Sequence, residues 1–187
     1  ERMVDYVFSN VMDITKYNPN AKWYLKKNGY APKAASSLRP DTIRLEPIPS
    51  DSNTDEKVAY VLDAKFYRFG TTGNESDLPT TTSIQKQITY GDNIICNLQK
   101  KENITCVYNA FVMPYNKHNN PFGYATDLEY IGYSEANWRN DALSHTRICA
   151  FLIDTKHLIS VWSQGNCTDD IVKLIEEIGK ATDNESM

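Results

Sequence analysis

Apolar residues recur at Val4, Val7, Phe8, Val11 and Ile14, the i, i+3, i+4, i+7 spacing of one helical face. This predicts a short N-terminal helix within residues 1–17. It should end ahead of Asn18-Pro19-Asn20, because proline disfavours helical geometry in the residue before it. Residues 21–27 read as a first strand. Residues 32–52, with Pro40, Pro47 and Pro49, read as mostly irregular apart from a short strand at 42–45. From Lys57 the period becomes two. Along 58–69, Val58, Tyr60, Leu62, Ala64 and Phe66 share one face, while Asp63 and Lys65 lie on the other, so one face is expected to be buried and the other at least partly wet. Residues 84–90 also alternate, 92–98 are strand-like, and 105–113 form a continuous β-branched and aromatic run. Further strands are expected at 127–133, 146–153 and 157–163. Gly70, Gly73, Gly91 and Asn119-Asn120-Pro121 supply turn chemistry between them. After Thr168 the pattern returns to 3.6: Ile171, Leu174, Ile175 and Ile178 form a stripe, Asp169 and Asp170 favour a helix N-terminus, and Gly179 is the natural stop.

Many short strands joined by turns argue for a mainly β protein, an eight-stranded antiparallel barrel. The expected organisation is one domain over 1–187: an N-terminal helix at 1–17, a barrel over 21–163, a helix at 168–179 packed on its outside, and a mobile tail at 181–187. An immunoglobulin-like sandwich is disfavoured, because it wants cysteines many tens of residues apart with a Trp between them.

Composition changes the picture in two ways. With 20 basic and 24 acidic residues in 187, the charge gives no basic stripe for a phosphate backbone, so nucleic acid is not an expected partner. No apolar run is long enough for a membrane span, and the first residues have no signal-peptide core, which implies that any secretory signal has been removed. Four Asn-x-Ser/Thr triplets, at Asn74, Asn103, Asn166 and Asn184, are N-glycosylation acceptors in a chain that enters the secretory pathway. The four cysteines, Cys96, Cys106, Cys149 and Cys167, permit three pairings. A hairpin joining 92–98 to 104–108 would bring Cys96 to Cys106 and leave Cys149 for Cys167; the alternative is four buried free thiols. Together these features predict a secreted, disulfide-bonded, extracellular glycoprotein.

Catalytic templates are lacking. The histidines, His118, His145 and His157, have no i, i+4 spacing, and neither a Gly-x-Ser-x-Gly elbow nor a phosphate-cradling Gly-rich loop occurs. No enzymatic activity, catalytic residue, metal or cofactor is therefore expected. The order of N-terminal helix, Trp-containing first strand, antiparallel strands and C-terminal helix resembles the lipocalins, with Ala21-Lys22-Trp23 where a Gly-x-Trp is usual. Three stretches resemble the tick salivary lipocalins, the histamine-binding and related proteins: residues 22–26, Asp55-Glu56-Lys57 leading to Phe66-Tyr67, and Cys149, Val161-Trp162 and Cys167 before a helix. Many of those proteins tie an early loop to the C-terminus by a second disulfide, which this chain has no cysteines to form.

The resemblance implies a lipocalin-like barrel that sequesters a small hydrophobic or amphipathic mediator (a sterol, an eicosanoid or a biogenic amine such as histamine) and acts in immunomodulation, as a monomer without membrane partners. Its ligand-binding residues would be Trp23, Tyr60, Leu62, Phe66, Ile88, Tyr90, Tyr108, Phe151 and Trp162, for each of which ordinary core packing is the plainer explanation. For an amine, Asp63 and Glu129 are the nearest strand-borne acids, unless they are solvated outer-face charges. The alternative is a solid barrel whose loops bind a cytokine, complement component or receptor.

Overall fold

A computed structural model of the chain describes residues 1–48, 55–139, 143–165 and 167–183. In order, its elements are α1 (Arg2–Phe8), β1 (Lys22–Tyr24), β2 (Pro32–Ala34), β3 (Thr42–Pro47), β4 (Lys57–Ala64), the single turn α2 (Phe69–Thr72), α3 (Thr81–Asn97), the single turn α4 (Gln99–Glu102), β5 (Ile104–Tyr115), β6 (Leu128–Glu135), β7 (Arg147–Asp154), α5 (Thr155–Gln164) and α6 (Thr168–Asp183). Strands β1 and β2 make a separate antiparallel hairpin. The other five form one open sheet in the order β3-β4-β5-β7-β6. Its centre is parallel, β4 with β5 and β5 with β7, and its outer pairs are antiparallel.

This overturns the eight-stranded antiparallel barrel: the fold is α/β. Parallel strands cannot be joined by a tight turn, and α3 makes the crossover between β4 and β5. Burial on both faces explains the unbroken apolar run in β5, which belongs to a central parallel strand. On one face Tyr60, Leu62, Ala110, Val112, Phe151 and Ile153 pack with Val7 and Phe8 of α1, Leu158 of α5 and Leu174 and Ile178 of α6. On the other, Ala59, Val61 and Val107 meet Tyr90 and Ile94 of α3, while Phe111 and Ile148 meet Ile88. Among the described residues no helix is long and apolar enough to cross a membrane.

The largest misreading lies at 84–98, expected as two strands and found as the seventeen-residue helix α3. Ile84 and Ile88 are four apart, a spacing that periods of two and 3.6 both satisfy. The continuation through Gln87, Gly91 and Ile94, all buried, follows only the helical period. Residues 157–163 are likewise helix α5, whose start is capped by the Asp154 carboxylate accepting from the His157 N–H at 2.9 Å. The strands expected at 42–45, 127–133 and 146–153 are present as β3, β6 and β7, and the C-terminal helix has its expected stripe but runs past Gly179.

The cysteines are all free. Cys96 lies exposed on α3, Cys106 on β5 beside the Ser144 hydroxyl, Cys149 is buried on β7, and Cys167 packs before α6. Without a hairpin between 92–98 and 104–108, nothing brings Cys96 opposite Cys106. Two of the sequon asparagines have local backbone roles: the Asn74 side chain accepts from the Ser76 N–H at 3.0 Å, and Asn103 takes a left-handed conformation after α4. Asn166 and Asn184, with the rest of the tail at 184–187, lie outside the described residues.

Two buried amides hold α3 to the sheet. Gln87 Nε2 donates to the Val61 and Ala110 carbonyls at 3.0 and 3.2 Å, and Asn109 Nδ2 donates to the Gln87 and His145 carbonyls at 2.9 and 2.6 Å. Gly91, read from sequence as a turn residue, is part of this close approach. A Cβ there would lie 2.5 Å from His145 Cδ2 and 2.6 Å from its Cβ, and His145 is buried. Gly91→Ala should therefore lower stability by about 1–3 kcal/mol through overpacking, although alanine favours helix, as measured by urea denaturation.

Candidate active site

Antiparallel pairing of Thr42 with Leu62 sets the residue before β3 beside the residue after Leu62. Those residues are Asp41 and Asp63. The Ala64 N–H donates to Asp41 Oδ2 at 3.1 Å, and Lys65 Nζ lies 2.7 Å from the Asp63 carboxylate. Lys65 shares a face with Asp63 because side chains repeat every two residues along an extended chain. That face is covered by α3, and Asp63 is only 3% exposed. Tyr90 of α3 lies over the pair, its hydroxyl donating to the Arg39 carbonyl at 2.8 Å. Burial, followed by the charges of Asp63 and Asp41, pushes the Tyr90 hydroxyl up to about 12, so it stays protonated. The cluster sits where β4 leaves the sheet, at the carboxyl edge of the parallel strands, where open α/β sheets usually bind ligands.

Two carboxylates in so dry a place cannot both ionise cheaply. Asp41 is pushed up to about 7, first by burial, then by hydrogen bonding to the Asp63 carboxyl and by its charge; Lys65 and the Ala64 N–H pull the other way. The pair thus retains a proton near neutrality that a divalent cation could replace. Among the described residues no group of three or more His, Cys, Asp or Glu could enclose a metal. Two carboxylates suit a hard ion such as Mg²⁺, which keeps waters and takes its remaining oxygens from a phosphate. Asp41 and Asp63 therefore fit such an ion as its protein ligands.

A second concavity, of about 460 Å³, opens between β6, α5 and α6 and is lined by Asp127, His157, Asp170 and Lys173 among others. Several of its charged groups are already engaged: His157 Nε2 lies 2.9 Å from Asp170, Lys117 Nζ lies 2.6 Å from Asp127, and Lys173 Nζ donates to the Leu128 carbonyl.

Of the residues proposed to line a cavity, only Asp63 and Tyr90 meet at the carboxylate site. Tyr60, Leu62, Tyr108 and Phe151 pack between the sheet and α1, α5 and α6, with the Tyr60 and Tyr108 rings stacked at 5.6 Å. Ile88 packs under α3, Glu129 is half-buried on β6, Trp162 is half-exposed on α5, and Trp23 and Phe66 point into solvent. An open sheet has no barrel interior for them to line.

The model of the LlaJI restriction endonuclease family matches residues 1–155, and the chain belongs to that family. Comparison with curated proteins and with solved structures finds no match. Membership overturns the lipocalin resemblance, the tick-saliva and immunomodulatory sequestering function that followed from it, and the expectation of a non-enzyme with a small ligand and no nucleic-acid partner. The family is one of enzymes that act on DNA.

Sequence reasoning found Asp63 but gave it to an amine, treated Lys65 as an outer-face charge, and passed over Asp41. The available signal was an acid directly ahead of one strand and an Asp-x-Lys at the end of the next, which a hairpin pairing brings together. A local charge imbalance was also missed: between Asp13 and Asp41 the chain carries Lys16, Lys22, Lys26, Lys27, Lys33 and Arg39 and no acid. The whole-chain balance conceals it.

The burial of Asp41 makes the stability of the chain depend on pH. The folded chain holds a proton, up to about 7, that the unfolded chain releases near its ordinary 3.8. Its contribution to stability is therefore present below about pH 4 and lost as pH rises through 7. In metal-free buffer, Asp41→Asn should match the native chain in Tm near pH 4 and exceed it by several degrees, roughly, at pH 8. Thermal melts across that range check this.

Proposed function

We propose that this chain is a divalent-cation-dependent endonuclease that hydrolyses phosphodiester bonds in DNA. The observation that carries the reading is the buried Asp41–Asp63 pair with Lys65 against it, in a chain of a restriction endonuclease family.

Asp41 and Asp63 would hold the cation, which when bound polarises a phosphoryl oxygen and raises the acidity of a water. The chain's own groups then have distinct tasks. Lys65, a compact point charge, is placed to neutralise the negative charge that grows on the phosphate oxygens as water adds to phosphorus and the P–O bond to the departing sugar oxygen breaks. Its ion pair with Asp63 holds the ammonium at the site before DNA arrives. Tyr90, protonated and anchored on the Arg39 carbonyl, keeps bulk water from the inner side of the carboxylates and ties α3 to the chain entering β3.

Asp63→Asn and Lys65→Ala should each lower the rate of plasmid cleavage in Mg²⁺ by about 10²-fold or more while leaving the circular dichroism spectrum native. Removal of Mg²⁺ with EDTA should abolish cleavage by the native chain. Cleavage by Asp63→Asn at the native rate would place the chemistry elsewhere in the fold.

A further inference from the structure

The β1–β2 hairpin is built unlike the rest of the molecule. All six of its strand residues are exposed, on both faces, and it joins no other sheet. Pairing of Trp23 with Lys33 puts these two on one face, and Lys22 and Tyr24 on the other. The connection, Lys26-Lys27-Asn28-Gly29-Tyr30, adds two more lysines and a third aromatic ring. Trp23, Tyr24 and Tyr30 are 62%, 58% and 60% exposed. Lys22, Lys26, Lys27 and Lys33 have no carboxylate partner among the described residues. An isolated two-stranded hairpin is marginal in water, and three rings more than half exposed gain little from burial where they stand.

Its base is nevertheless held firmly. The Leu38 N–H donates to the Pro19 carbonyl at 3.1 Å and the Ala35 N–H to the Ala21 carbonyl at 2.8 Å. On one side Tyr17 is buried, its carbonyl accepting from Asn93 of α3 at 2.8 Å. On the other, Arg39 gives its carbonyl to Tyr90, two residues before Asp41. The ribbon is thus anchored on both sides to α3, the helix that covers the carboxylate pair.

We propose that this hairpin is a DNA-binding wing that holds duplex DNA beside the Asp41–Asp63 site. The proposal rests on the nuclease reading and adds the surface that delivers its substrate. A two-stranded ribbon fits the major groove of B-form DNA, with lysines reaching phosphates on either side and the rings lying against sugars and base edges. In a chain of net charge −4, this acid-free segment concentrates positive charge on the hairpin, which would draw a polyanion to it.

The test is fluorescence anisotropy of the full chain with a labelled 30-base-pair duplex in EDTA, over a series of NaCl concentrations, beside plasmid cleavage in Mg²⁺. Lys26→Ala/Lys27→Ala should weaken binding about tenfold near 0.1 M NaCl and reduce the slope of log K against log [NaCl] by about 1–2, as expected for one or two lost phosphate contacts. Trp23→Ala should weaken binding several-fold with the slope nearly unchanged. Asp63→Asn should stop cleavage and leave the hairpin's contribution to binding intact. If the native chain cleaves but the hairpin variants bind with its affinity and slope, the wing is refuted and the nuclease reading stands. If the native chain neither binds nor cleaves duplex DNA, both fall. Preference for a single strand of the same length over the duplex would also overturn the proposal.

Discussion

Parallel pairing of β4 with β5 is the constraint from which the rest of the architecture follows. Two parallel neighbours cannot be connected by a turn, so the chain between Ala64 and Ile104 must cross the sheet, and α3 is the crossover. Parallel strands are also buried on both sides, which requires helices on each face: α3 on one, α1, α5 and α6 on the other. Once α3 lies across β4, the face carrying Asp63 is no longer exposed to water, and a surface acid becomes a buried one.

The site is the second consequence. Antiparallel addition of β3 at the sheet edge brings Asp41 to Asp63, and the cover of α3 makes their proximity costly. A carboxylate held near 7 is a place where the fold works against itself, and such perturbed groups cluster at functional sites. Beside it Gln87 and Asn109 donate their amide N–H groups to backbone carbonyls, and Gly91 admits His145.

Much of the local structure was legible in the chain. The alternation that marks β4, the strands at β3, β6 and β7 and the stripe of α6 all correspond to described elements. The errors have physical causes. Ile84 and Ile88 satisfy both periods, so the local pattern does not separate the helix α3 from strands. In α5 the cap that starts the helix is Asp154, the last residue of the preceding strand, and a reading by segments separates it from the helix it caps. The basic segment before Asp41 was lost in an average over the whole chain.

By itself the sequence determined where apolar segments begin and end, that Asp63 and Lys65 share a face, and that residues 14–40 are basic and rich in aromatics. All of these depend on neighbours a few residues apart, through side-chain period and local charge. Only the tertiary structure decided the order and direction of the strands, the covering of the Asp63 face by α3, and the meeting of Asp41 with an acid twenty-two residues away. A period-two pattern reports that a strand is buried on one side. It carries no information about which strand lies beside it or in which direction, because that choice is made by non-local packing of the whole sheet.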